Sequence, residues 1–344
     1  MKNIWPVSSG LSMILSAAII LAGCGATNPS PVNTAPATLA YVFGVESGLP
    51  VMMEYSTAPS NSGTSVRSIE AVQGPIATDS TGQIYILYPN SNGAIPGGEI
   101  VVHPPNATGS ATPSRTIQLD YLPYKLAVDP TGRVYVSDLP ATWTTGTPTT
   151  VSVYAPDASG EAVPLRTFVP TNLYPAISDM VADAAGNLYV AGSTPNGWVV
   201  AVYPPTAIGP STPARTIDFG ADGLAWVYGV AFDSAGHIFA NVCSGCYVGA
   251  STIEEFAPGA SGAAVPIRTI NLSAGSLGQV EAGGPVRVDG AGNIFTSIAI
   301  SPPGPEASLI KVFYGFGPDA TGDAVPMAQF APPEGDPNGF LALN

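Results

Sequence analysis

The sequence has little charge, and very little positive charge, which excludes several kinds of partner. Charged residues make up 10% of the 344 residues, and 10 Lys and Arg stand against 24 Asp and Glu, a formal net charge of −14. A surface of this sign repels polyanions, so we expect no nucleic acid partner and no basic patch for anionic lipid. Any attachment to a membrane therefore has to use a covalent or inserted anchor.

Histidine and cysteine are scarce as well, which limits metal and haem sites. The two histidines, His103 and His237, lie far apart, so a His-rich zinc site is not expected. Cys243 and Cys246 form a single C-x-x-C, without the further ligands that zinc needs or the following histidine that haem attachment needs. In an exported protein the default for such a pair is a disulfide that stiffens a small loop, and we predict one here.

Motifs that mark a catalytic centre are also missing. The chain contains no G-x-S-x-G nucleophile elbow and no phosphate-binding loop. The sequence therefore favours a protein that is not an enzyme, and it identifies no catalytic residue, metal ligand or cofactor.

The N-terminus holds the one long apolar run, which ends at a cysteine. An apolar stretch from about Leu11 leads into Leu21-Ala22-Gly23-Cys24. It is shorter than the roughly 20 residues that span a bilayer. The small residues before Cys24 suit a signal peptidase. This segment resembles the lipobox of bacterial lipoproteins.

The lipobox resemblance implies a domain organisation and a location. It implies a signal peptide over 1–23, a lipidated Cys24 that begins a flexible linker over 24–37, and a folded domain over 38–344. We therefore expect a membrane-anchored protein of the cell envelope. Gly25, where retained inner-membrane lipoproteins carry Asp, favours the outer membrane or the cell surface.

An internal repeat dominates the rest of the chain. A segment that reads apolar-Ala-x-Asp-x-x-Gly-x-apolar-aromatic recurs every 50–56 residues, with its aspartate at Asp79, Asp129, Asp183, Asp233 and Asp289. Each copy is followed by an apolar-x-aromatic-x-Pro strand, a turn of small residues, and Pro-x-Arg-Thr-apolar. Four short runs with near period-two alternation per unit predict four antiparallel strands, which in tandem make propeller blades.

The two ends of the chain predict how the ring closes. The last six residues, 339–344, match the first strand of a unit, with Asn344 at the aspartate position, and residues 39–69 match strands two to four. A blade shared by both termini leaves no open edge. We predict an all-β, six-bladed β-propeller of four-stranded antiparallel blades, which we expect to be a monomer.

The repeated polar residues are expected to serve folding. The turn aspartates cap backbone N–H groups, and the glycine supplies a positive φ. Five of the six blades carry one arginine each on the outermost strand, and the last repeat has Ala328 there. These arginines, Arg67, Arg115, Arg166, Arg215 and Arg268, cannot converge on one ligand. We expect blade-to-blade ion pairs or stacking. Segments such as Asp183–Val190 and Asp289–Phe295 resemble NHL-type propeller repeats, a likeness specific for fold and weak for activity.

A candidate binding face comes from the aromatic residues in the loops between strands two and three and between blades. These are Trp143, Trp198, Trp226, Tyr124, Tyr174 and Tyr228. Exposed aromatics on one rim can stack a saccharide or grip a peptide or protein partner; alternatively they roof the channel and pack on each other.

Two other functions stay open. Six-bladed gluconolactonase-like hydrolases hold a metal with channel carboxylates. Their sequence signatures are not recognisable here, but a metal-dependent hydrolase or lyase would use the acidic residues in the same connections, Asp120, Asp179, Asp218, Asp222 and Glu281. The other alternative is a structural envelope protein in which no loop cluster matters.

Overall fold

The structure is a computed structural model, and it describes most of the folded domain. The described residues are 39–46, 49–57, 65–71, 73–90, 97–139, 149–174, 177–220, 225–244, 250–273, 279–301, 310–330 and 341–343. All of them belong to the compact unit Ala37–Asn344. The predicted signal peptide, Cys24 and the linker lie outside these ranges, as do Trp143, Asp222, Cys246 and Asn344. Among the described residues there is no helix long and apolar enough to cross a membrane.

The described residues form six antiparallel sheets of four strands, which confirms the predicted six-bladed propeller. From the innermost strand outward, blade 1 holds β25 (Ala342–Leu343), β1 (Leu39–Glu46), β2 (Leu49–Ser56) and β3 (Arg67–Glu70). Blade 2 holds β4 (Ile76–Thr78), β5 (Ile84–Asn90), β6 (Gly97–His103) and β7 (Arg115–Leu119). Blade 3 holds β8 (Pro123–Val128), β9 (Val134–Asp138), β10 (Val151–Tyr154) and β11 (Arg166–Pro170).

The remaining three blades follow the same order. Blade 4 holds β12 (Ile177–Ala182), β13 (Leu188–Thr194), β14 (Gly197–Tyr203) and β16 (Arg215–Phe219); blade 5 holds β17 (Ala225–Phe232), β18 (Ile238–Ser244), β19 (Ala250–Phe256) and β20 (Arg268–Leu272); blade 6 holds β21 (Gln279–Val288), β22 (Ile294–Ser301), β23 (Ile310–Phe316) and β24 (Ala328–Phe330). A short extra strand, β15 (Gly209–Ser211), pairs in parallel with β11.

The hydrophobic core lies between the blades. Six clusters of buried side chains each join two neighbouring blades, including blades 6 and 1. Val, Ile, Tyr and Phe dominate because both faces of each sheet are covered, so these strands read as apolar runs. Each blade therefore depends on its neighbours for burial of its two faces.

The turn aspartates act as predicted. Asp129 is fully buried, and its Oδ1 accepts hydrogen bonds from the backbone N–H groups of Thr131 and Arg133 at 2.8 and 3.1 Å. Gly132 has a φ of +85°, a conformation that residues with a Cβ rarely adopt. The Tyr135 hydroxyl donates to the other carboxylate oxygen. The repeat motif thus serves to fix the hairpin between the first and second strands.

The C-terminal strand closes the ring, as the sequence predicted. β25 pairs antiparallel with β1, with Ala342 opposite Tyr41 and Leu343 opposite Ala40. The Thr78 hydroxyl on β4 donates to the Leu343 carbonyl, which ties the closing strand to blade 2. Leu341 is buried between blades 1 and 6. The first blade is therefore built from both ends of the chain.

The repeated arginines correct one expectation. Ion pairs form, but within a blade: Arg67 with Glu54 and Arg268 with Glu255. Across blades, each arginine instead donates to a backbone carbonyl in the next blade's third-to-fourth strand connection. These contacts run from Arg67 to Ala107, Arg115 to Pro156, Arg166 to Ala207, Arg215 to Ala260 and Arg268 to Ala320. The acceptor is a backbone carbonyl because the connection in the next blade carries mostly small side chains. The guanidinium can therefore reach the backbone of that connection.

Candidate functional site

Because strand direction alternates, the connections gather at two ends of the ring. The Asp-x-x-Gly turns and the third-to-fourth strand connections lie at one end, the turn face. The second-to-third strand hairpins and the inter-blade connections lie at the other, the loop face. The first strand of each blade runs from the loop face to the turn face beside the central channel.

Bulges turn side chains of the innermost strands toward the channel near the loop face. The pairing register shifts once in β8, β12 and β17, which leaves one extra residue in each strand. The extra residues all stand five positions before the turn aspartate: Tyr124, Ser178 and Tyr228. A bulge bends its strand and re-aims the local side chains. This geometry brings Tyr124 of β8 and Tyr228 of β17 to the loop-face end of the channel.

A pocket occupies the loop-face end of the channel, and we call it the mouth pocket. Its volume is about 250 Å³. All six blades contribute to its wall, from Ile76 on β4 to Leu341 before β25. Four of the predicted aromatic residues line it, namely Tyr124, Trp198, Trp226 and Tyr228. The structure thus brings together most of the residues that the sequence selected.

The aromatic rings in the mouth pocket pack on each other and still face solvent. The ring centroids of Trp198 and Trp226 lie 5.3 Å apart at an interplanar angle of 31°. Trp226 and Tyr228 stack with centroids 6.4 Å apart at 18°. Trp226 remains 45% exposed. The two alternatives that the sequence left open are therefore combined, because one aromatic cluster forms both the roof and an accessible flat surface.

An ion pair stands at the base of the mouth pocket. Arg287 donates through its two terminal nitrogens to the Asp179 carboxylate at 2.7 and 3.1 Å. Asp179 also accepts from the backbone N–H of Val230 at 3.0 Å. The Arg287 guanidinium donates further to the Val286 carbonyl at 2.7 Å. Both partners are therefore largely satisfied by each other and by the protein backbone.

Lys125 is the other charged side chain that lines the mouth pocket. Its ammonium lies 4.8 Å from the centroid of the Tyr124 ring. Among the described residues, no side-chain or backbone acceptor forms a hydrogen bond with it. Burial lowers the pKa of Lys125; the Asp179 carboxylate acts in the opposite direction, and the Arg287 charge adds to the lowering. The Lys125 side chain thus ends in a confined aromatic site that disfavours its charged form, and no described residue accepts a hydrogen bond from it.

Two solved structures share this architecture at low sequence identity. A protein of unknown function from Bacteroides caccae aligns over 90% of this chain and 99% of its own length, with 12% identity and a TM-score of 0.52. A luciferin-regenerating enzyme aligns over 84% of this chain and 90% of its own, with 13% identity and a TM-score of 0.52. The likeness is one of fold alone. No family model matches the sequence, and comparison with curated proteins gives no match.

Other predicted site residues fall elsewhere. Tyr174 lies in the inter-blade connection on the loop face but does not line the mouth pocket. Trp143 lies outside the described residues. Cys243 is buried opposite Trp226 on the neighbouring strand. Because Cys246 also lies outside the described residues, the disulfide stays a prediction.

The candidate channel carboxylates do not converge within the described part of the chain. Asp120 is exposed on the connection after β7, Asp218 is exposed on β16, and Glu281 is half-buried on β21. Asp179 alone of the described candidates lines the mouth pocket, where Arg287 holds it. Asp222 lies outside the described residues. Nothing in this arrangement presents a set of free oxygen ligands for a metal ion.

A trio of potential metal ligands lies instead at the turn face. Ligand atoms of Asp233, His237 and Glu255 come within 4.8 Å of one another. His237 Nδ1 contacts the Asp233 carboxylate at 2.8 Å, in the place where Gln83 contacts the Asp79 carboxylate in blade 2. Arg268 pairs with Glu255. Each member thus already has a role in the turn or in the blade.

A second cavity, of about 340 Å³, opens at the turn face of the channel. Small and aliphatic residues such as Ala77, Ala127, Ala182 and Ala231 form most of its wall. It presents no aromatic cluster comparable to the mouth pocket. The aromatic surfaces that can stack on a ligand are therefore concentrated at the loop face, while Asp79 and Arg287 also line this second cavity.

Sequence reasoning missed Lys125 and Arg287, although the repeat contains a signal for one of them. Arg287 stands two positions before its turn aspartate, where Ala77, Ala127 and Ala231 stand in other blades. A charged residue at a channel-facing position that holds alanine in other blades indicates a role beyond the repeat. Lys125 has no such signal, since its position follows the bulge and varies between blades.

Proposed function

We propose that this protein is a lipid-anchored, exported propeller that binds a saccharide through the mouth pocket. The observation that carries the proposal is the cluster of Trp198, Trp226 and Tyr228, whose rings pack on one another while Trp226 stays open to solvent. Flat aromatic faces beside a few fixed polar groups suit the apolar C–H faces of a sugar ring and its hydroxyls.

The size of the mouth pocket supports a small ligand unit. At about 250 Å³ it lies just below the range of about 300–1,000 Å³ that is usual for drug-sized ligands. One sugar ring at the end of a chain would fill it, with further units extending over the loop face. A peptide side chain is the other occupant of that size, and a comparison of glycan arrays with peptide arrays separates the two.

Location and finer family are also proposals. The lipobox-like segment that ends at Cys24 supports anchoring in the cell envelope, and Gly25 favours the outer membrane or the cell surface. The closed ring and its turn aspartates support the finer resemblance to NHL-type propellers. The acidic surface supports the expectation that nucleic acid is not a partner.

Glycan and peptide arrays probed with the whole chain test this function. We expect binding to glycans, and a loss of at least about tenfold in affinity for Trp226→Ala, because truncation of a central aromatic anchor removes most of its contact. Tyr174→Ala is the matched control: it removes an aromatic from the same face outside the pocket and should leave affinity unchanged. Peptide binding alone, or equal effects of the two variants, would contradict the proposal.

A further inference from the structure

The charge of the mouth pocket narrows the ligand class, on the premise that the proposed function is correct. Lys125 and Arg287 line the pocket together with one carboxylate, Asp179, so positive charge exceeds negative charge by one among its described lining residues. The whole chain has a net charge of −14 and only 10 basic residues. Two of these few basic residues line one pocket, so its lining has a net positive charge although the whole chain has a net negative charge.

The two cations are not equivalent. Arg287 is committed to Asp179 and to backbone carbonyls of Val230 and Val286. The Lys125 ammonium, in contrast, has the Tyr124 ring beside it and no hydrogen-bond acceptor among the described residues. An ammonium in a confined site is costly without an anionic partner, and a ligand anion would provide one. One uncommitted positive charge matches one negative charge on a ligand.

We infer that the mouth pocket takes a saccharide unit that carries a carboxylate, such as a uronic acid at the end of a glycan. The sugar ring would stack on Trp226 and Tyr228, and its carboxylate would pair with the Lys125 ammonium. A doubly charged phosphate group fits less well, because the Arg287 fork that would hold it is occupied by Asp179.

The lowered pKa of Lys125 is in keeping with this arrangement. Burial disfavours the charged ammonium, and the neighbouring Arg287 charge acts in the same direction, while Asp179 opposes both. Tyr124, whose pKa burial raises, stays neutral and offers its ring face. A bound carboxylate would favour the charged form of Lys125, so binding and the ammonium charge stabilise each other.

Matched glycans test the inference. The probes are uronate-terminated oligosaccharides and the same oligosaccharides after reduction of the carboxylate to an alcohol, titrated calorimetrically into the whole chain. We expect the uronate form to bind about tenfold more tightly, the size of effect that one close charge pair gives in a binding site. Lys125→Met should remove that preference, so that the uronate and reduced forms bind with equal affinity.

Controls separate this inference from the proposed function. Lys311→Met removes a lysine on β23 outside the pocket and should keep the preference, and the melting temperature of Lys125→Met shows that it folds. Equal affinity for both glycan forms, with Trp226→Ala weakening both, would overturn the carboxylate and leave a neutral saccharide site. Binding of neither form would overturn both proposals.

Discussion

At the scale of single residues, the turn aspartate explains why the repeat is so regular. In blade 2 the Asp79 carboxylate accepts hydrogen bonds from the Thr81 backbone and hydroxyl and from the Tyr85 hydroxyl, at 2.7 to 2.9 Å. Burial tends to raise the pKa of Asp79, but these bonds from Thr81 and Tyr85 outweigh it and hold the pKa below the ordinary value of an aspartate. One buried side chain thus orients both the turn and the next strand.

This lowered pKa predicts acid destabilisation through Asp79. A carboxyl whose pKa is lower in the folded state stabilises the fold fully above its unfolded pKa, about 3.9, and loses that contribution as the pH falls toward the folded value. We expect the free energy of unfolding in urea to decrease from pH 6 to pH 3. Asp79→Asn should be less stable at pH 6 and should lose less on acidification.

The exposed Asp157 provides the control for loss of one charge. Asp157→Asn should keep the stability of the parent protein at pH 6 and its response to acid. If Asp79→Asn and the parent lost equal free energy between the two pH values, Asp79 would not contribute to acid sensitivity.

At the scale of elements, backbone hydrogen bonds link neighbouring blades in a way that the sequence analysis did not predict. The connection between third and fourth strands reaches back to the outer strand of the preceding blade. Gly160 accepts a hydrogen bond from Gln118 and donates one to Thr116, at 2.8 and 2.7 Å, and its φ is +60°. Bridges of the same kind are made by Gly109, Gly262 and Gly322, and β15 makes it at Gly209. At each of these borders, backbone hydrogen bonds join the two blades in addition to the side-chain contacts.

Substitution at the link tests its contribution. Gly160→Ala should reduce the free energy of unfolding by about 1–2 kcal/mol, since a residue with a Cβ is disfavoured in the left-handed region. Gly290→Ala is the matched control: its φ lies outside that region and an added Cβ meets no atom within 4 Å. Equal effects of the two substitutions in urea unfolding would show that the backbone conformation at Gly160 does not matter.

The elements also show how far sequence reasoning reaches. Strand number, turn chemistry and ring closure follow from a repeat whose residues act locally, and all three are confirmed. The bulges at Tyr124 and Tyr228 and the Asp179–Arg287 pair depend on how different blades meet at the channel. Asp179 and Arg287 are 108 positions apart, and no local pattern connects them. The aromatic half of the site was therefore predictable, whereas the pairing of Asp179 with Arg287 was not.

At the scale of the whole molecule, the channel exists because the ring is closed. Each of the six hydrophobic clusters joins two blades, so the loss of one border weakens both neighbours. β25 and Leu341 belong to the clusters on either side of blade 1, and Leu341 also lines the mouth pocket. The shared blade therefore serves stability and the site together.

Deletion of residues 341–344 is the most direct test of this account, with scanning calorimetry of the whole and truncated chains as the measurement. Loss of the closing strand and of buried Leu341 removes contacts worth about 3–5 kcal/mol. At about 2–4 °C per kcal/mol for domains approaching this size, the melting temperature should fall by roughly 6–20 °C. A truncated chain that melts at the same temperature as the whole chain would contradict a ring closed by its C-terminal strand.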